Sequence, residues 1–174
     1  LGGISSLAIS ADGSRIYVTG TRDNTLVAFS RDTNTGLLTF LQVQKNTVNG
    51  IAGLGGATSV AVTHNIASPT NIYVASSTDN AITVFRRDPT QGELIFVGTY
   101  QNGVANITGM INVYGVTVSP DDRHVYAAIR GGVVALTRDL NTGALTFQGT
   151  YTGKATGISG FSGAPLAIKP DGSE

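Results

Sequence analysis

The residues of this chain able to move protons or hold metals are few and scattered. Of its eleven acidic residues, Asp12, Asp23, Asp32, Asp79, Asp88, Asp121, Asp122, Asp139 and Asp171 all sit at turn positions, leaving only Glu93, at the start of a strand, and Glu174. His64 and His124 fall in turns, lack the helical spacing that would set two imidazoles on one metal, and have no carboxylate pattern beside them. Both read as solvent-exposed turn residues. Serines are numerous, yet none stands in the Gly-x-Ser-x-Gly context of a nucleophile elbow. Gly53-Leu54-Gly55-Gly56 lacks the third glycine and the following helix of a dinucleotide fingerprint. Cysteine is absent, which removes thiolate nucleophiles, disulfides and cysteine-based zinc sites together. No catalytic, metal-binding or cofactor-binding residue is therefore assigned. Asn106-Ile107-Thr108 satisfies the glycosylation sequon, which matters only where the host glycosylates secreted proteins.

What the chain does carry is a repeat. An aliphatic strand, an Asp-Gly-like turn, a tyrosine strand, an aliphatic strand ending in Arg-Asp, a glycine four residues on and a last strand recur three times. The tyrosines are Tyr17, Tyr73 and Tyr126, and the Arg-Asp pairs are Arg31-Asp32, Arg87-Asp88 and Arg138-Asp139. A fourth copy opens at Leu166-Ala167-Ile168-Lys169-Pro170-Asp171-Gly172. A unit of roughly 50 residues with four short strands is the period of a propeller blade. The fold class is thus all-β: a β-propeller of four-stranded antiparallel blades, with about three blades plus the first strand of a fourth. Repeats run approximately over 1–50, 51–106, 107–157 and, in part, 158–174. Strands A to D are placed so that A covers 6–10, 58–63, 114–119 and 164–169, B holds the tyrosine, C ends at Arg-Asp and D follows the glycine.

Leu26 to Phe29 and Ile82 to Phe85 are apolar on both faces, which requires cover from both sides. Neighbouring blades supply it. In Asp32-Thr33-Asn34-Thr35-Gly36 and its copies, the aspartate can accept backbone N–H groups and the glycine can take positive φ, so Arg-Asp reads as turn chemistry. Alternating strand direction puts A–B and C–D turns at one end, and B–C turns with the interblade D–A links at the other. Those links are rich in glycine and asparagine, a composition that suits a chain crossing a confined space. If the protein has a ligand or partner face, it is the second end, where Arg22, Asp23, Asn24, Asn49, Asp79, Asn80, Asn112 and Arg130 gather.

Composition narrows the classes further. Charged residues make up 13% of the chain, against a usual ~25%. Formal charge is zero, without the basic excess that phosphate backbones demand, so nucleic acid is not an expected partner. No apolar run approaches the ~18 residues of a membrane span. Low charge with abundant Thr, Ser, Asn and Gly points weakly to an extracellular, cell-surface or periplasmic location. The chain starts at Leu1 and stops inside an A–B turn, so the expectation is a fragment, its ring completed by the remaining blades of a longer chain or by another copy.

The phrases Ala8-Ile9-Ser10-Ala11-Asp12-Gly13, Val118-Ser119-Pro120-Asp121-Asp122 and Phe29-Ser30-Arg31-Asp32-Thr33-Asn34-Thr35-Gly36-Leu37-Leu38-Thr39 resemble the lactonase-like seven-bladed propellers. The resemblance covers nearly the whole chain and implies the propeller fold. Sugar-lactone hydrolases of that family also share a Pro-His pair before the A-strand phrase and an Asp-Leu-Gly after the tyrosine strand. Here Thr58-Ser59, Tyr114-Gly115 and Thr19-Gly20-Thr21 hold those places, so no catalytic residue carries over. The leading expectation is a non-catalytic binding and structural module of a larger extracellular or cell-surface protein, with a protein or glycan ligand. The alternative is a fragment of a lactonase-type hydrolase acting on a sugar lactone, its catalytic residues lying outside this segment.

Overall fold

A computed structural model describes residues 2–66 and 69–153. They form twelve strands in three four-stranded antiparallel sheets, each sheet in chain order. Blade 1 contains β1 (Ile4–Ile9), β2 (Arg15–Gly20), β3 (Thr25–Arg31) and β4 (Leu38–Lys45). Blade 2 contains β5 (Ala57–Val62), β6 (Asn71–Ser76), β7 (Ala81–Arg87) and β8 (Leu94–Gln101). Blade 3 contains β9 (Gly115–Val118), β10 (His124–Ile129), β11 (Gly132–Arg138) and β12 (Leu145–Thr152). The expected fourth A strand, at 164–169, lies outside the described residues.

The turns follow from local side-chain chemistry. Ser10 Oγ donates to Asp12 Oδ1 at 2.5 Å, and the same oxygen accepts Ser14 N at 3.0 Å, closing the A–B turn of blade 1. Ser119, Asp121 and Arg123 repeat that arrangement in blade 3, at 2.5 and 3.1 Å. In the C–D turns, Asp32 Oδ1 accepts the amides of Asn34 and Thr35, Asp88 Oδ1 those of Thr90 and Gln91, and Asp139 Oδ1 those of Asn141 and Thr142, all at 2.8–2.9 Å. Donated N–H groups favour the ionised form, led by Thr35 at Asp32, Gln91 at Asp88 and Thr142 at Asp139, and hold all three carboxyls below the usual carboxylate range. The aspartate half of Arg-Asp is turn chemistry, as its position in the sequence implies.

The outer strand of every blade carries a bulge at the same place. Register slips between Ala28 and Phe29, between Val84 and Phe85, and between Ala135 and Leu136. One extra D-strand residue is accommodated each time, bending the outer strand and raising its twist.

Two apolar cores lie between blades. Tyr17, Leu26 and Ala28 of blade 1 meet Val60, Val62, Ile72, Val74 and Phe85 of blade 2. Tyr73, Ala75, Ile82 and Val84, from the other face of blade 2, meet Val116, Val118, Val125, Ala127, Val134 and Leu136 of blade 3. Blade 2 is therefore apolar on both faces because both are interfaces. The D–A links add to these cores: Ile51 and Leu54 are buried in the first, Ile107 and Met110 in the second. Asn46 Oδ1 accepts Leu54 N, and Asn102 Oδ1 accepts Met110 N, each at 3.0 Å, which tucks each link inward.

The arginine half of Arg-Asp departs from the turn reading. Arg138, 5% exposed, reaches back from blade 3 into blade 2. Its Nε donates to Tyr73 Oη at 2.8 Å and its terminal nitrogens to Asn71 Oδ1, Asp122 O and Pro69 O at 2.6, 3.1 and 3.4 Å. Arg87 reaches back from blade 2 to Asp12 Oδ2 at 2.9 Å and Ser14 Oγ at 3.4 Å in blade 1. In blades 2 and 3 this arginine is an interblade brace, because at the end of strand C its long side chain spans the seam to the preceding blade. Gly143 makes room for the second brace. It takes φ +80°, and a Cβ there would stand 2.1 Å from Asn71 Nδ2.

Candidate functional site

The inner strands β1, β5 and β9 stand side by side and line a cavity of about 460 Å³ near the A–B turns. Its walls are Ala8, Ile9 and Ala11 from blade 1, Val60 to His64 from blade 2, and Val116 to Val118 from blade 3. Val60, Val62, Val116 and Val118 among them are buried in the two interblade cores, so these side chains contribute little to its surface. His64 is the one residue with a titratable side chain in that lining.

His64 is exposed, as its place in a turn implies, but it has a carboxylate partner that sequence spacing does not show. Asp122, in the A–B turn of blade 3, accepts His64 N and Asn65 N at 2.8 Å each and stands 3.1 Å from His64 Nδ1. Its side chain is 3% exposed, against 55% for His64. The two residues are 58 positions apart, so only blade stacking brings them together. His124 also differs from its expected place. It is the first residue of β10, half-buried, with its ring 6.2 Å from that of Tyr126. Among the described residues no group of three or more His, Cys, Asp or Glu side chains is arranged to hold a metal.

At the opposite end, B–C turns bind the D–A links. Asp79 Oδ2 accepts Gly55 N at 2.7 Å and Asn46 Nδ2 at 3.1 Å, while Asp23 Oδ2 accepts Gly2 N at 2.5 Å. Asn24 Oδ1 accepts Gly56 N at 2.7 Å, and Asn80 Oδ1 accepts Asn112 N at 2.5 Å, each gripping the start of the next blade. Arg130 N bonds Ile111 O at 3.2 Å, beside Asn112, and Arg22 N bonds Gly2 O at 3.2 Å. Asn49 lies in the first link with φ +53°. Hydrogen bonds thus join the B–C turns to the links, and Asp23, Asn24, Asp79 and Asn80 use side-chain oxygens to hold backbone. The side chains of Arg22, Asn49 and Arg130 stand exposed around them. Asn106 is exposed as well, at φ +65°.

Solved structures share the fold of these blades. A provisionally named 6-phosphogluconolactonase of Bacteroides uniformis superposes with a TM-score of 0.71 and 22% identity over 87% of this chain and 41% of its own. The periplasmic gluconolactonase of Pseudomonas aeruginosa gives a TM-score of 0.66 and 22% identity, over 87% of this chain and 40% of its own. The fold is a β-propeller. This chain spans about two fifths of the length of those propellers, its three described blades matching part of a larger ring. Kuenenia stuttgartiensis hydrazine synthase also matches, with a TM-score of 0.60 and 17% identity over 99% of this chain and 40% of its own. Blades of this type therefore serve more than one chemistry. No family model and no curated protein matches the chain.

Proposed function

We propose that the chain is a blade-forming section of a larger propeller that acts as a binding and structural module, extracellular or periplasmic. One observation carries this reading: the face of blade 1 turned away from blade 2 is apolar and open. Leu7, Ile9, Phe40 and Val43 on that face are 50–58% exposed, whereas β6 and the first five residues of β7 in blade 2 are buried on both faces between neighbours. On the opposite outer face, Tyr126 of blade 3 holds the position that Tyr17 and Tyr73 hold on seams already closed. Contiguous exposed apolar surface marks an interaction site, and the occupant that fits is another blade, whether from a longer polypeptide or from a second copy. Protein or glycan partners would meet the ring at the end bearing Arg22, Asn49, Asn112 and Arg130.

A second reading is favoured by the superpositions: the section of a lactone hydrolase whose catalytic groups stand on other blades. Two of the superposed structures carry lactonase names, and the periplasmic one also agrees with the proposed location. One measurement tests the docking of further blades, and a second separates the readings. Sedimentation velocity of the chain should show concentration-dependent association that Phe40→Ser with Ile9→Ser abolishes; a parent chain monomeric throughout would remove the blade-docking argument. Glucono-δ-lactone opening by the full-length polypeptide should stay at the spontaneous rate. Turnover above that rate would establish the hydrolase reading instead.

A further inference from the structure

The two interblade links are built on one plan. In the first, Thr47 N donates to Ile51 O at 2.8 Å and Ile51 N to Val48 O at 3.1 Å. In the second, Gly103 N donates to Ile107 O at 2.8 Å and Ile107 N to Val104 O at 3.0 Å. The central residues all take the left-handed conformation, Asn49 and Gly50 at φ +53° and +76°, Ala105 and Asn106 at φ +50° and +65°. Each link thus closes on a type I′ turn. The sequence holds two Asn-Gly pairs, and they fall at different places in this plan. Asn49-Gly50 is the tip of the first turn, whereas Asn102-Gly103 stands at the base of the second.

An asparagine followed by glycine is the pair in which a backbone amide most easily attacks the side chain before it, since glycine has no Cβ to obstruct the approach. In Asn102-Gly103 both reacting groups are engaged: Asn102 Oδ1 accepts Met110 N at 3.0 Å, and Gly103 N is held by Ile107 O. In Asn49-Gly50 neither is. Both residues are exposed, and among the described residues neither the Asn49 side chain nor Gly50 N makes a hydrogen bond. A Cβ at Gly50 would meet no atom within 4 Å, so the tip has room around it.

We propose that Asn49-Gly50 is a site of spontaneous deamidation, from which the fold protects Asn102-Gly103. Gly50 N gives up its proton to base and bonds to Asn49 Cγ. The Cγ–Nδ2 bond breaks, and that nitrogen takes a proton from solvent and leaves as ammonia. Water then adds to one of the two carbonyl carbons of the cyclic imide and reopens it as an aspartyl or isoaspartyl residue. Either product adds a negative charge at the end bearing Arg22, Asn112 and Arg130. The isoaspartyl form also inserts a methylene into the main chain between the two central residues of the turn. That turn holds Ile51, 3% exposed, in the core between blades 1 and 2, so modification loosens the first seam. The site does not depend on the module reading above.

Arg86 and Arg87 separate the two asparagines into different tryptic peptides, so mass spectrometry follows each one while the full chain is incubated at mildly alkaline pH. Two hydrogen bonds held by one pair and lacking in the other should make loss of Asn49 about tenfold or more faster than loss of Asn102. In concentrated urea the two rates should converge, because the unfolded pairs are alike. After the same incubation the parent should melt at a lower temperature than before, and Asn49→Ala, which writes the residue found at Ala105, should not. Equal rates in the native protein, faster loss at Asn102, a tenfold difference persisting in urea, or an aged parent that keeps its melting temperature would overturn the proposal. The rate comparison stands on the parent chain alone, whether or not Asn49→Ala folds.

Discussion

At the scale of single residues, the least expected group is a guanidinium in an interior seam, held by neutral oxygens of Tyr73, Asn71, Pro69 and Asp122. Arg138→Met keeps the length of the side chain but strands the Asn71 carbonyl and removes the donor to Tyr73. Hydrogen bonds to a charged group are worth roughly 1.5–3 kcal/mol each, and buried partners left alone add a penalty, so the loss should be about 3 kcal/mol. Arg31, the blade 1 counterpart, is half-buried and reaches the carbonyl of Gly13 in its own blade. Its replacement by Met should cost under about 0.5 kcal/mol. Urea midpoints of the two variants measure the difference directly. The contrast also shows why Arg-Asp was only half legible. Each aspartate bonds amides two and three residues downstream, inside the reach of a local phrase. The arginine bonds Tyr73 and Asn71, 65 and 67 positions upstream, and spacing within one copy carries no trace of that.

Among the elements, strands and links differ in how openly they declare themselves. Strand positions follow from apolar runs bounded by turn residues, and each expected A, B, C and D strand within the described residues is present. The links read as glycine-rich crossings, which conceals their anchoring role. Ile51-x-x-Leu54 and Ile107-x-x-Met110 repeat at one spacing after Asn46 and Asn102, and that regularity was the available signal. Leu54 and Met110 are fully buried. Truncating either to alanine should cost about 2–5 kcal/mol, the range for buried Leu and Met cavities. Val48→Ala, in the same link but 44% exposed, should cost little. Thermal unfolding of the three variants ranks them. The D-strand bulges were not legible at all, since an extra residue in a strand changes no residue type.

For the molecule as a whole, the aspartate turns act together at acid pH. Asp32, Asp88 and Asp139 have carboxyls lowered by donated N–H groups. Asp12 joins them: burial opposes its charge, but Ser10, Ser14 and Arg87 outweigh that and hold it far below the usual range. A folded value below the unfolded one means stabilisation that is present above about pH 4 and disappears as pH falls through the depressed values. Melting temperature should therefore change little from pH 7 to 5 and drop towards pH 3. Replacing all three turn aspartates by asparagine, whose Oδ1 still accepts an N–H, should flatten that drop. At the alkaline end, burial lifts the Tyr17 hydroxyl to about 12 and that of Tyr73 upward as well, with Arg138 opposing at Tyr73. The contribution of these neutral phenols is complete below about pH 10 and declines as pH climbs through the raised values.

The backward reach of the strand C arginine has an evolutionary meaning. A seam is written half in one copy of the phrase and half in the next: Tyr73 and Asn71, on strand B, meet the arginine of the following unit, and Asp12 and Ser14, in the A–B turn, meet Arg87. Tandem duplication of a whole unit therefore copies both halves of a joint. Rings with different numbers of blades can descend from one another by unequal exchange, without a new surface having to arise by point mutation.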